Sequence, residues 1–166
     1  NIFGLAAGLA TCLLIILYVW DELSYDRFHE KAERIYRVNS DIKFGGTDLH
    51  LAVCSDPMGP TLKKDYPQVE QFTRIYASEN KIAYVDSTFF DVFTFPLLKG
   101  NSKTALNDPN TAVISESGAN KYFGNTDVLG KIIETNDKVS FKITGVMKDM
   151  PPNSHFGFDV LLSMDN

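Results

Sequence analysis

The sequence predicts an α+β domain carried on a single N-terminal transmembrane helix, and three observations carry that reading. Ile2 to Trp20 is a run of nineteen residues without a charge. Beyond it, short stretches of period-two apolar alternation are interleaved with short helical stretches bounded by Ser, Pro and Gly, as in a mixed helix-and-sheet domain. All 21 acidic and 16 basic residues also lie beyond Trp20, so the net charge of −5 belongs entirely to the water-facing part.

The apolar run comes first. At about 1.5 Å per residue it matches the thickness of a bilayer core. Gly4, Gly8 and Thr11 form a stripe of small residues on which another helix can pack closely. A signal peptide would have a basic start and a shorter apolar stretch closing on a small-residue cleavage site, and neither flank fits that pattern. The run ends instead in Tyr18 and Trp20, aromatics favoured at the membrane interface, followed by Asp21, Glu22 and Asp26. No Lys or Arg precedes Arg27, so this side is a poor cytoplasmic flank and residues 21 onward are placed outside. The chain does not start with Met, and its true beginning is expected to lie upstream.

The soluble part is long enough for one core, and the chain has twelve Phe and seven Tyr to fill it. No basic stripe of the kind a nucleic-acid binder needs is present, so nucleic acid is not an expected partner. Cys12 falls inside the membrane and Cys54 outside, which keeps the two thiols apart.

After the membrane, Asp26 is expected to cap a short helix, DRFHEKAERIY, with Phe28, Ala32 and Ile35 at helical spacing. RVNSDIKF and DLHLAV alternate on either side of Gly45-Gly46 and predict a hairpin. Pro57 and Pro60 open a second helix that ends before Pro67, and VEQFTRIYA predicts a strand. The segment IAYVDSTFFDVFTFPLLKG gathers Phe89, Phe90, Phe93 and Phe95 around a short helix stopped by Pro96, which marks a core. After the loop NSKTALNDPN come a strand, TAVIS, and a helix from Glu116 to Phe123 closed by Gly124. KIIETN and VSFKITGVM read as strands joined near Asn136-Asp137, and a Pro-broken loop leads to a last strand from Phe158 to Leu162.

No residue pattern supports chemistry of its own. GNTDVLGK has five residues between its glycines and Ile132 after Lys131, so it misses the phosphate-loop pattern, and a helix C-cap glycine followed by a turn glycine explains it better. His50 and Cys54 are four apart on an expected strand, about 13 Å from each other, and His155 stands in a loop without a ligand partner, where a hydrogen-bonding role is expected. SESGAN resembles a nucleophile elbow but lacks the glycine two before the serine, so Ser115 reads as an N-cap. Asp86 and Asp91 read as a cap and an exposed turn. No catalytic residue, cofactor site or metal site is expected.

Three stretches together, ILYVWDELSYDRFHEKAERIYRV, VDSTFFDVFTFPLLKG with AVISESGANKYFG, and ITGVMKDMPPNSHFGFDVLLS, resemble the first extracytoplasmic domain of ABC transporter permeases of the FtsX/MacB type, in the long form common in Bacteroidetes. The resemblance covers nearly the whole chain. It implies residues 1–24 as the first of several spanning helices with its exit, three more following later in the protein, and residues 25–166 as a MacB-like periplasmic core domain in the bacterial inner membrane. Within that domain it implies a porter-like part, 25–80 with 150–166, and a sabre-like insert, 86–148; the connection between Ala77 and Lys81 is short for the family. It further implies a separate ATPase subunit, pairing with a second permease chain or a second half of the same protein, and a periplasmic or outer-membrane partner. LSYDRFHE would then be the joint between membrane and domain, with Tyr25, Asp26 and Phe28 as its residues, Asp26 capping and Phe28 anchoring.

Two other classes compete with a permease domain that couples ATPase cycles to export or partner control, termed mechanotransmission. One is a membrane-anchored sensory or ligand-binding domain. The other is an anchored hydrolase, which requires a polar pocket collecting His155, Asp149 and a serine.

Overall fold

The computed structural model describes residues 1–78 and 81–164. Glu79 and Asn80, within the short Ala77–Lys81 connection, lie outside the described residues, as do the last two.

The apolar run is one helix, α1 (Ile2–Ser24), which at about 1.5 Å per residue is long enough to cross a bilayer. The helix expected from Asp26 onward does not form. Residues 25–31 make successive turns, and only a single 3-10 turn, Ala32–Arg34, follows. Asp26 adopts a left-handed backbone (φ 56°) that no helix N-cap uses. The physical reason lies outside the segment, because the backbone and side chain of Asp26 are taken by a distant loop and Phe28 and His29 by the aromatic core.

The hairpin forms around the expected turn from β1 (Ser40–Phe44) and β2 (Thr47–Leu51), with Gly45 and Gly46 at φ 57° and 85°, but both strands are shorter than their alternation suggests, and Cys54 lies outside the strand that holds His50. Two consecutive positive φ angles are what a two-residue type I′ turn demands. Helix α2 (Met58–Asp65) follows Pro57 and stops short of Pro67. The next strand is far shorter than its alternation suggests. β3 is only Ile75–Ala77, because Phe72 turns its ring towards Gly59 and its carbonyl accepts from the Thr88 hydroxyl.

The Phe-rich segment contains more than its one short helix. β4 (Ile82–Val85) precedes α3 (Phe89–Val92), and β5 (Leu97–Lys99) follows Pro96. α3 has already ended at Phe93, which is extended, before Pro96 is reached. Then come β6 (Thr111–Ser115), α4 (Glu116–Phe123), β7 (Ile132–Glu134), β8 (Ser140–Met147) and β9 (Val160–Ser163). α4 has both expected ends. Ser115 Oγ accepts from the Gly118 N–H, and Gly124 closes the helix at φ 73°. β9 starts two residues later than its sequence pattern suggests.

Among the described residues, seven of the nine strands make one mixed sheet in the order β3-β4-β9-β6-β8-β5, with β7 also on β8. β9 is parallel to β4 and antiparallel to β6, while β6 and β8 are parallel. β6 is buried along its whole length, which explains the near-continuous apolar TAVIS. Its odd and even residues enter two cores. Val113 joins Val85, Phe89, Phe95, Leu106, Met147 and Leu161 on one face, while Ala112 and Ile114 join Ala119, Val128, Phe141, Ile143 and Leu162 on the other. The expected Phe core is therefore present, with Phe89 and Phe95 buried and Phe90 and Phe93 packed at its margin. Gly100 is required where β5 closes on β8, since its φ is +91° and a Cβ there would lie 2.4 Å from the Thr144 carbonyl oxygen.

Asp86 serves a purpose other than capping. Its buried carboxylate accepts from the Arg74 backbone N–H at 2.7 Å and from the guanidinium at 2.7 and 3.1 Å. This ties β4 to the residue just before β3. The hydrogen bonds that the guanidinium donates to Asp86 hold its pKa above the ordinary value.

Candidate functional site: the joint between helix and domain

Where α1 ends, the chain is gripped by the loop that leads into β9. The Asn153 amide donates to the Ser24 carbonyl (3.1 Å), and the Asp26 N–H donates to the Asn153 carbonyl (3.0 Å). One Asp26 carboxylate oxygen accepts from the His155 N–H (3.1 Å), and the other meets His155 Nδ1 at 2.6 Å. The Tyr25 ring stands edge-on to the His155 imidazole, with centroids 5.0 Å apart. The left-handed backbone of Asp26 turns the chain out of the helix direction and presents its carboxylate to this loop. Pro151 and Pro152 restrict the loop on its other side, where the Ser154 N–H donates to the Pro151 carbonyl.

One turn further, the chain enters the aromatic core. Phe28 lies 5.6 Å from Phe95, centroid to centroid, and packs on the first of the two cores. His29 is buried among Phe28, Phe93 and Phe95. Its Nδ1 accepts from the Thr94 N–H (3.0 Å), which places the proton on Nε2, a buried atom with no hydrogen-bond partner among the described residues. Burial lowers its pKa from the ordinary value, against the opposing charge of Asp26. The Glu30 N–H donates to Thr94 Oγ1 (3.0 Å), giving Thr94 two bonds to this segment. Lys31 and Arg34 pair with Glu70 on the surface, where water screens such pairs to little net effect.

Tyr25, Asp26 and Phe28 thus converge on one place, with Asp26 bonded to the loop instead of capping a helix. Asn153, His155, His29 and Thr94 complete it. None of the four is legible from local pattern, because their partners are 64 to 129 residues away.

The remaining candidates are brought together with nothing reactive. Asp149 accepts from the Ser117 N–H at the start of α4, while His155 serves the joint, so the residues of the hydrolase reading have separate partners. Asp91 lies near Gln71 and Lys31 on the surface. Gly124 and Gly130 both take positive φ, as a C-cap and a turn. His50 pairs with Asp41 across the hairpin (2.6 Å), and Cys54 is exposed. Among the described residues no group of three or more His, Cys, Asp or Glu is placed to hold a metal ion.

The model of the MacB-like periplasmic core domain matches residues 1–166. The chain belongs to this family. A domain of a protein designated a permease, from Porphyromonas gingivalis, shares 31% identity over 71% of this chain and 56% of its own, with a TM-score of 0.58. The periplasmic region of MacB from Actinobacillus actinomycetemcomitans shares 21% identity over 63% of this chain and 52% of its own, with a TM-score of 0.47. The extracellular domain of the noncanonic ABC-type transporter YknZ from Gram-positive bacteria shares 19% over 55% and 50%, with a TM-score of 0.38. The chain therefore spans about half the length of the solved structures it matches. No curated protein matches it. As a MacB-like core domain of an FtsX/MacB-type permease, it is an α+β domain on the periplasmic side of the inner membrane, behind the apolar helix α1.

Proposed function

We propose that this MacB-like domain passes motion between the membrane and the periplasm in a permease whose ATP is hydrolysed by a separate ATPase subunit. The cycle would serve export or control of a periplasmic or outer-membrane partner, in a unit formed with a second permease chain or a second half of the same protein. One observation carries the reading. The chain leaves α1 and is bonded within two residues to the loop before β9, with no Gly/Ser linker between. A tilt of the helix is then delivered to β9, which lies inside the sheet between β4 and β6. The division into a porter-like part (25–80 with 150–166) and a sabre-like insert (86–148) belongs to the same proposal. The two would move together, since β9 of one is hydrogen-bonded to β6 of the other.

The test uses the full-length protein purified with its neighbouring ATPase in proteoliposomes. Hydrolysis is followed with and without added substrates and periplasmic partners. Wild type is expected to be stimulated, and Asp26→Ala with Asn153→Ala is expected to keep basal hydrolysis and lose the stimulation. No associated ATPase and no stimulation by any addition would overturn the reading. A full-length protein with one spanning helix and a bound small ligand would favour the anchored sensor.

A further inference from the structure

A groove of about 620 Å³ opens between α1 and the first turn of the domain. Ile15, Val19 and Leu23 supply its apolar wall and Trp20 its flank, while Arg27 and Asn153 stand at its outer end. Arg27 is exposed and makes no ion pair among the described residues. Its acidic neighbour in sequence, Asp26, is already occupied by His155. Asp21 and Glu22 do not line the groove. At about 100° per residue, Asp21 points to the opposite side of the helix, and Glu22 lies roughly a quarter-turn away beside Tyr18.

Depth along the membrane normal fits the same picture. Trp20 marks the interface, and the rise from Val19 to Ser24 is about 7.5 Å. The headgroup layer of one leaflet is roughly 5–7 Å thick. An apolar wall at the depth of acyl chains is thus followed, one headgroup layer further out, by an unpaired guanidinium and an amide.

We infer that this groove holds an anionic phospholipid of the outer leaflet, with its phosphate on Arg27 and Asn153 and an acyl chain along Ile15, Val19 and Leu23. The competing occupant is a second transmembrane helix, which the stripe Gly4, Gly8 and Thr11 invites at the other end of α1. At the groove itself an apolar helix would cover Arg27 without supplying a counter-charge, a cost that a phosphate removes. The lipid would wedge α1 against the domain at the joint. The inference needs the helix to lie in the membrane, but it does not need coupling to an ATPase.

The test is lipid retention by the full-length protein, extracted from nanodiscs containing both phosphatidylglycerol and phosphatidylcholine and weighed by native mass spectrometry. Wild type is expected to retain phosphatidylglycerol over phosphatidylcholine by about fivefold, the preference one basic residue supplies near an anionic surface. Arg27→Gln is expected to abolish the preference, and Arg27→Lys to keep most of it. Leu23→Trp, which leaves Arg27 in place, is expected to lower retention by filling the groove. A photo-crosslinker at Val19 should label lipid. Equal retention of the two lipids, an unchanged preference in Arg27→Gln, or a Val19 crosslink to another helix of the protein would each overturn the inference. ATPase stimulation is read separately, so its failure leaves this result standing.

Discussion

β6 and the β1-β2 hairpin are built from similar five-residue strands, yet they are stabilised in opposite ways. Every residue of β6 is buried, and its two faces feed two separate cores. In the hairpin every strand residue except Ser40 is exposed, including Phe44 at 77%. The hairpin is held by its backbone ladder, a glycine turn and surface ion pairs such as Lys43 with Asp48. A two-stranded hairpin of that kind is marginal in water. The difference teaches that alternation specifies a strand and its register, whereas the cover supplied by other elements determines how much that strand contributes to stability.

Substitutions in the two regions should therefore separate widely. Phe89→Ala, in the intact chain in detergent, is expected to cost about 3–5 kcal/mol by creating a cavity under the sheet, measured by denaturant unfolding. A cost near zero would show that the core is not the source of stability. Arg74→Ala should cost less, about 2–3 kcal/mol, because it leaves the buried Asp86 carboxylate without its guanidinium but still with one backbone N–H. Asp86→Asn with Arg74→Met is expected to recover part of that loss.

Mild acid should act on the covered region through His29. Burial lowers its folded pKa, while the unfolded chain takes up the proton near ~6.5. Below that pH the unfolded state binds more protons, so stability falls as pH falls, and above it this residue adds no slope. Thermal midpoints measured from neutral to mildly acidic pH should show that decline in wild type and a flatter profile in His29→Gln. The smallest effect is expected in the hairpin. Phe44→Ser should change global stability by no more than about 0.5 kcal/mol. A loss comparable to that of Phe89→Ala would mean that the hairpin is covered in the working protein.

Legibility in the sequence followed the same division between local and distant causes. The TAVISESGANKYFG segment was readable to the residue, since the short apolar run, the Ser115 cap and the Gly124 stop all act within a few positions. The hairpin turn was readable for the same reason. Asp26 was misread as a cap because a capping residue and a left-handed turn residue look alike in sequence, and the deciding partner, His155, is 129 positions away. Tyr25, Asp26 and Phe28 were proposed from the sequence, whereas the residues they contact, among them His155 and Phe95, lie far away in the chain and were not legible. β4 and β5 were hidden in a Phe-rich run whose density signals a core without saying which elements build it. No local pattern announces that β9 enters between β4 and β6.

That central position of β9 sets a timetable for the newborn chain. β4 and β6 have no direct hydrogen-bonded pairing and meet only across residues 160–163. During export from the ribosome, α1 lodges in the bilayer long before those residues emerge, and until they do the two half-sheets expose Val85, Val113 and Ile114 to water. Such late, long-range closure is slow and leaves unpaired strand edges open to wrong partners. The chain is therefore expected to be most open to mispairing in the interval before Val160 arrives.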